Sequence, residues 1–188
     1  MSGQLVCATF WLSAEEAPQE DDQGMLRDRL EQMGLSRISV SPFDHGLVCQ
    51  WAGLSCRAFM IHSSFHDVLF LQFLYSEFLE LEFDDPENGE KLAQSFQAAC
   101  KQLNPEVAYI VNRPQQANVA WNLEREWMVL AFDAVSLTEE HFGVLYMCQD
   151  VCQHWHTRAF HLKYRDIITV PTGCFVFSGQ KKGEGRWM

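Results

Sequence analysis

The most regular pattern of apolar and polar positions runs through residues 78–111. From Phe78 to Phe83 apolar and acidic side chains alternate, which is the period of a strand with one buried face. Pro86 suits the first position of a helix, and apolar residues then recur at helical spacing as far as Leu103. A compact apolar run, residues 107–111, follows. The segment therefore predicts a strand, a helix and a second strand, in that order.

Other segments predict further strands and one more short helix. The amphipathic pattern of residues 25–33 predicts a helix, and Gly34 is placed to close it in a left-handed turn. Pro171, Thr172 and Gly173 predict a hairpin turn in which Gly173 supplies a positive φ. Strands are expected where β-branched and aromatic residues cluster between turn-like residues, at 5–11, 37–41, 47–51, 56–62, 127–132, 166–170 and 174–177.

Two apolar segments are harder to assign. Residues 65–75 fit a buried helix or a strand equally well by periodicity, and we favour a short helix that packs on the sheet. Ser136 and Glu139 have the spacing of a capping box, which predicts a second long helix with Phe142, Tyr146 and other apolar residues on one side.

Together these elements predict an α/β or α+β fold in a single domain, residues 1–178, with a flexible tail at residues 179–188. The expected architecture is a mixed, largely antiparallel sheet of about seven to ten strands with about three to four helices packed on it.

Charge and hydropathy narrow the class of protein. The 188-residue chain is 47% hydrophobic and carries a formal net charge of −11. Such a charge argues against a nucleic-acid-binding protein, because affinity for nucleic-acid phosphates comes mainly from Lys and Arg. The apolar runs are shorter than the about 20 residues of a membrane span. Residues 5–12 lack the basic flank of a secretory signal, so we expect a cytoplasmic protein.

The seven cysteines lie mainly within apolar runs. Their odd number and the lack of an export signal predict reduced core thiols rather than a disulfide framework. One cluster of cysteines and histidines could also bind a metal ion. Cys148 and Cys152 are four residues apart on the predicted helix, and His154, His156 and His161 follow, so these side chains are candidate zinc ligands. The alternative is that the cysteines belong to the core and the histidines to the surface.

His62, His66 and Asp67 form a second candidate, as metal ligands or as an oriented general base. Two unrelated, partly exposed histidines are the alternative interpretation. The sequence contains no nucleophile elbow and no phosphate-binding glycine loop, so we expect a protein that is not an enzyme and needs no cofactor.

The acidic residues are concentrated in one place. Residues 77–90 contain seven acidic residues and no basic one. Glu80 and Glu82 fall on the same face of the predicted strand. Such a stripe either recognises a basic partner or is simply a solvated surface, and the sequence leaves both interpretations open.

Three segments of the chain resemble, in their general pattern, small α/β immunity proteins of bacterial polymorphic toxin systems. They are LELEF at residues 79–83, CKQLNPEVAY at 100–109 and LTEEHFGVLY at 137–146. The resemblance implies a cytoplasmic, non-enzymatic bacterial protein that binds and occludes one cognate toxin. The alternative rests on the Cys148 to His161 cluster instead, and is a metal-dependent enzyme or zinc-stabilised factor. A basic toxin domain would contact the acidic stripe and the long segment after residue 112, at Glu80, Glu82, Asp84, Asp85, Glu87, Arg113 and Trp121.

Overall fold

The computed structural model describes residues 4–14, 22–40, 46–62, 66–74, 86–114, 142–156 and 166–177. They form nine strands and three helices. The strands are β1 (Gln4–Ser13), β2 (Ser36–Val40), β3 (Leu47–Trp51), β4 (Leu54–His62), β5 (His66–Leu74), β6 (Val107–Pro114), β7 (Phe142–Cys148), β8 (Asp166–Val170) and β9 (Gly173–Phe177). The helices are α1 (Asp22–Gln32), α2 (Pro86–Leu103) and α3 (Gln149–His156).

All nine strands belong to one sheet, in the order β2-β3-β4-β5-β1-β6-β7-β9-β8. Each pair of neighbouring strands is antiparallel. The predicted α/β or α+β fold, with a mixed sheet under three to four helices, is therefore wrong. The described chain is largely β, because two segments assigned to helices are strands of the sheet.

Residues 65–75 are the first of these corrections. They contain β5, which pairs with β4 on one side and with β1 on the other. Leu69 and Leu71 are buried on one face of the sheet, and Val68 and Phe70 are buried on the opposite face. A central strand that is covered on both faces shows a nearly continuous apolar run, so its sequence lacks the alternation that identifies other strands.

The predicted second long helix is the other correction. Phe142–Cys148 is β7, which pairs with β6 and β9. Tyr146 packs on one face and Leu145 on the other, so this apolar run too belongs to a strand buried on both faces. Helix α3 begins only at Gln149. The predicted capping box and the predicted strand at 127–132 lie outside the described residues.

The predicted end of α1 is confirmed. Gly34 has a φ of +78°, the left-handed region that glycine adopts at no steric cost. Its N–H donates to the carbonyl of Glu31 at 2.9 Å, and the N–H of Leu35 donates to the carbonyl of Leu30 at 3.0 Å. These two bonds make a Schellman motif, which satisfies carbonyls that the helix end would otherwise leave without a partner.

Helix α2 and strand β6 confirm two thirds of the predicted strand-helix-strand unit, whose first strand lies outside the described residues. Helix α2 ends where Asn104 adopts a φ of +46°, before Pro105. Its buried stripe comprises Leu92, Ala93, Phe96, Ala99, Cys100 and Leu103.

The two-residue hairpin turns differ in their use of glycine. Ala52 and Gly53 between β3 and β4 have φ values of +53° and +86°, as a type I′ turn requires. The hairpin of β8 and β9 is confirmed, but Gly173 is not among the described glycines with a positive φ, so that part of the prediction is wrong. A Cβ atom on Gly173 would lie 2.0 Å from the carbonyl oxygen of Met147. Glycine is needed there because the backbone of β7 approaches closely.

The sheet has two buried faces. The α1/α2 face is the one that these two helices cover, and its cluster includes Phe10, Trp51, Phe73, Phe96, Tyr146 and Phe175. The Trp11 face lies on the opposite side and includes Cys7, Trp11, Val68, Phe70, Val107, Tyr109, Leu145, Met147 and Cys174, together with Cys152 of α3.

Candidate functional site

Polar side chains meet on the Trp11 face where β1 ends, β5 begins and β6 begins. Ser13 Oγ donates to Glu106 Oε1 at 3.1 Å, and His66 Nε2 lies 3.2 Å from Glu106 Oε2. The backbone of Glu106 is fixed from both sides, since its N–H donates to the carbonyl of Trp11 and its carbonyl accepts from the N–H of Cys148, each at 2.8 Å. From its position directly before β6, Glu106 therefore bonds to β5, β1 and β7.

Trp11 and Tyr109 extend this polar cluster into the core. The indole N–H of Trp11 donates to the hydroxyl oxygen of Tyr109 at 3.3 Å in a buried setting. The Trp11 ring meets the His66 ring edge-on, with centroids 5.7 Å apart. We call these five residues the Glu106 cluster: Ser13, Glu106, His66, Trp11 and Tyr109.

The chemistry of the Glu106 cluster follows from the order of its groups. In a nucleophilic relay the imidazole stands between the hydroxyl and the carboxylate, so that it can take the hydroxyl proton. In this protein the carboxylate of Glu106 stands between Ser13 and His66. The arrangement holds both side chains and places the carboxylate, rather than the imidazole, next to the hydroxyl, which suits a clamp between strands rather than an activated nucleophile.

The predicted group of His62, His66 and Asp67 is divided between the two faces. His62 Nδ1 lies 2.8 Å from Asp67 Oδ1, and Asp67 is buried opposite Leu12 on the α1/α2 face. His66 points to the Trp11 face, because successive residues of a strand point to opposite faces. The structure thus brings His62 and Asp67 together and separates His66 from both.

Two cysteines face each other across β3 and β4. Cys49 is directly opposite Cys56, and their Sγ atoms are 3.3 Å apart. Both side chains are buried, at 1% and 4% exposure. The hydrogen bond between the two thiols lowers the pKa of Cys49 against the opposing effect of burial, and the same bond, together with burial, raises the pKa of Cys56.

The predicted metal cluster is only partly within the described residues. Cys148 is the last residue of β7 rather than part of a helix, so the helical spacing to Cys152 does not apply. Cys152 Sγ donates to the carbonyl of Met147 at 3.4 Å, and its hydrogen bond with Cys174 lowers the pKa of Cys152 and raises that of Cys174. Within the described chain no group of three or more His, Cys, Asp or Glu residues is arranged to hold a metal ion.

His154 and His156 belong to α3, but their side chains lie outside the described residues, as does His161. Their part in a metal site stays a prediction. The expectation that the cysteines are core residues is confirmed for six of the seven, and Cys148 is half-buried. All seven are free thiols.

The predicted partner surface falls largely outside the described residues. This holds for Glu80, Glu82, Asp84, Asp85 and Trp121. Glu87 lies in the first turn of α2, and Arg113 lies near the end of β6 opposite Leu5 of β1, but neither side chain is among those described. Their contact with a partner stays a prediction.

Sequence reasoning missed the Glu106 cluster and the pairing of Cys49 with Cys56. The residues of the Glu106 cluster are separated by 93 positions between Ser13 and Glu106 and by 40 between His66 and Glu106, so no local pattern connects them. The cysteine pair had a usable signal, because Ala52 and Gly53 fix the register of the hairpin and place Cys49 opposite Cys56.

Comparisons with known proteins show no family for this chain. No protein-family model matches it, and no curated protein matches it. Among solved structures, the Pseudomonas aeruginosa T6SS protein PA0821 is similar with 9% sequence identity and a TM-score of 0.47, covering 98% of this chain and 73% of that chain. Similarity at this level carries no argument about family or function. In the part of the chain that the structure describes, no helix is long and apolar enough to cross a membrane.

Proposed function

We propose that this chain is a bacterial binding protein that occludes and neutralises a cognate toxin with a basic surface. The observation that carries the proposal is the acidic stripe, residues 77–90, which has seven acidic residues and no basic one. A block of one sign attracts a partner of the opposite sign and rejects partners of like charge. The net charge of −11 gives the rest of the molecule the same sign.

The position of α2 supports this role for the stripe. The last residues of the stripe, from Pro86 to Glu90, form the first turns of α2. Further along the same helix, Leu92 and Phe96 are buried on the α1/α2 face. The last residues of the stripe therefore belong to a helix that packs on the sheet through Leu92 and Phe96.

The acidic residues also have a local role that needs no partner. Carboxylates near a helix N-terminus are stabilised by the helix dipole, each by about 0.3–1 kcal/mol when exposed. Only Glu87 and Glu90 stand within the first turns of α2, whereas the other five acidic residues of the stripe precede the helix. The local role thus leaves most of the charge of the stripe unexplained, and recognition of a basic partner accounts for it.

The test pairs two charge-reversal variants. Glu80→Lys/Glu82→Lys changes the stripe, and Asp28→Lys/Glu31→Lys makes the same change of charge at exposed positions of α1. The partner is the toxin encoded beside this gene. We expect the stripe variant to slow association by about tenfold or more at low salt, and the α1 variant to change it by about twofold at most.

Association rates measured by stopped-flow fluorescence at two salt concentrations provide the readout, because steering by charge weakens as salt rises. Protection of cells that co-express the toxin should be lost with the stripe variant and kept with the α1 variant. Equal association rates for the two variants, or the absence of a toxin gene beside this one, would contradict the proposal.

A further inference from the structure

The Cys49 and Cys56 thiols are already placed for bond formation. Directly opposite residues of an antiparallel pair have Cα atoms about 4.5–5.5 Å apart, which lies within the range that a disulfide spans. The two Sγ atoms are 3.3 Å apart, so a disulfide needs them to approach by little more than 1 Å, to about 2.05 Å. Small rotations of the two side chains achieve this without a change of register.

We propose that Cys49 and Cys56 form an oxidisable dithiol that closes to an intramolecular disulfide by exchange with a low-molecular-weight disulfide. The proposal goes beyond the binding function proposed above and does not depend on it. It assigns a covalent modification site to the β3-β4 hairpin.

The exchange balances in two steps. The Cys49 thiolate attacks one sulfur of the small disulfide, forms a mixed disulfide and releases one small thiolate. The Cys56 thiolate then attacks Cys49 Sγ, closes the protein disulfide and releases the second small thiolate. The two protons of Cys49 and Cys56 pass to the released thiolates, so the dithiol is oxidised by two electrons and the small disulfide is reduced by two.

The two thiols are suited to different steps. The hydrogen bond between the two thiols lowers the pKa of Cys49, which favours the thiolate that attacks first, whereas the pKa of Cys56 is raised. Once Cys49 has reacted, it no longer accepts this bond as a thiolate. Cys56 is then the nearest thiol to the mixed disulfide, and proximity drives the second step.

Access requires the hairpin to open locally, because both thiols are buried. Both thiols point to the α1/α2 face, so α1 must separate from the hairpin as well, and the position of β3 near one edge of the described sheet makes this opening feasible. Only the five-residue strand β2 lies outside β3 in the described sheet, and the pairing of these two strands is irregular between Ser36 and Ser39. Local opening costs least at such weakly paired margins. The expected reaction is therefore slow in the folded protein and limited by opening.

Other cysteines serve as internal controls. Cys100 is buried in α2, and burial raises its pKa well above the usual value, so it should stay reduced. Cys152 and Cys174 also share a hydrogen bond, but they connect α3 to β9 rather than two opposite residues of neighbouring strands. A disulfide between them would be recognised as a different linkage.

The experiment treats the folded full-length protein with oxidised glutathione, quenches with acid, alkylates free thiols in denaturant and maps tryptic peptides by mass spectrometry. Cys49 and Cys56 fall in one tryptic peptide, residues 38–57, which contains no other cysteine. We expect this peptide to lose both alkyl groups and to weigh two hydrogens less than its reduced form, while the Cys100 peptide stays alkylated. Recovery of peptide 38–57 with two alkyl groups, or with glutathione remaining on it, contradicts the proposal.

Two single variants test the order of the steps. Cys56→Ser should accumulate glutathione on residue 49, because the second attack is lost, whereas Cys49→Ser should leave Cys56 alkylated. Glutathione on Cys56 in the second variant would overturn the assignment of Cys49 as the attacking thiol. If either variant fails to fold, which circular dichroism will show, the wild-type peptide map still decides whether the disulfide forms.

Discussion

The two faces of the sheet are buried by different chemistry. The α1/α2 face is filled by aliphatic and aromatic side chains, and its described polar pair, His62 and Asp67, lies where β4 ends and β5 begins. The Trp11 face is equally buried at Phe70 and Tyr109 but carries the Glu106 cluster. Packing alone can specify the first face, whereas the second also depends on hydrogen bonds between strands that are distant in sequence.

Aromatic rings in contact with one another form a series across the α1/α2 face. Phe73 stacks on Trp51 at 6.0 Å, and Trp51 meets Phe10 edge-on at 6.0 Å. Phe96 of α2 continues the series, with ring centroids 5.6 Å from Phe10 and 6.3 Å from Phe175. One helix side chain thus connects the β3-β5 side of the sheet to its β9 side.

Phe96→Ala should have the largest effect on stability. Phe96 is fully buried, and its removal leaves a cavity between two strand aromatics, so we expect a loss of about 4 kcal/mol in the free energy of unfolding. Urea unfolding followed by tryptophan fluorescence measures the loss. Lys91→Ala on the exposed side of the same helix is the control and should change stability by about 0.5 kcal/mol or less. A similar loss for both variants would show that Phe96 does not connect the two sides of the sheet.

The α1/α2 face was also the easier one to predict from the sequence. Its elements carry clear signals: the helical stripe that includes Leu92 and Phe96, and the terminating Gly34. These signals are local, and local patterns are what a single sequence records most directly. The two helix assignments that failed, at β5 and β7, failed because burial on both faces removes the alternation of a strand.

The Glu106 cluster could not be predicted for a different reason. Ser13, His66 and Glu106 come together only because β1 pairs with both β5 and β6. Strand order in a sheet depends on long-range pairing, which no short window of residues contains. The predicted partner surface shares part of this difficulty. The sequence shows which residues form an acidic stripe, but it does not show how the stripe is oriented on the fold.

Gly173→Ala should have the next largest effect, and it acts on both faces at once. Register in β9 places Cys174 on the Trp11 face and Phe175 on the α1/α2 face. A Cβ atom at Gly173 would lie 2.0 Å from a backbone oxygen of β7, so the two strands must move apart. We expect a loss of about 3 kcal/mol, measured by urea unfolding.

Gly53→Ala is the matched control for Gly173→Ala. Gly53 has open space around its Cα but a φ of +86°, so its substitution should cost about 1 kcal/mol through backbone strain alone. If Gly173→Ala costs no more than Gly53→Ala, then close approach of β7 is not the reason for glycine at position 173.

Tyr109→Phe tests the hydrogen bonding that distinguishes the Trp11 face. It removes the hydroxyl that accepts from the Trp11 indole N–H and leaves the ring in place, so we expect a loss of about 1.5 kcal/mol. A double-mutant cycle with Trp11→Phe isolates the contribution of this pair, because the loss in the double variant should be smaller than the sum of the two single losses. Additive losses would mean that Trp11 and Tyr109 stabilise the face by packing alone.

Thr9→Val should have the smallest effect, and the opposite sign. Thr9 lies on the Trp11 face between Phe70 and Tyr109, with no exposure to solvent, and its hydroxyl has no hydrogen-bond partner in the described part of the protein. Replacing that hydroxyl by a methyl group removes the cost of burying it, so we expect a gain of about 1 kcal/mol.

Thr9→Ser provides the matched comparison, since it keeps the hydroxyl and deletes the methyl group, at a cost of about 1 kcal/mol. The two variants should therefore move the midpoint of urea unfolding in opposite directions. If valine lowers the midpoint, then the hydroxyl of Thr9 contributes a hydrogen bond to the Trp11 face. If valine raises it, burial on this face includes one polar group whose energetic cost the Glu106 cluster and the surrounding aromatic packing outweigh.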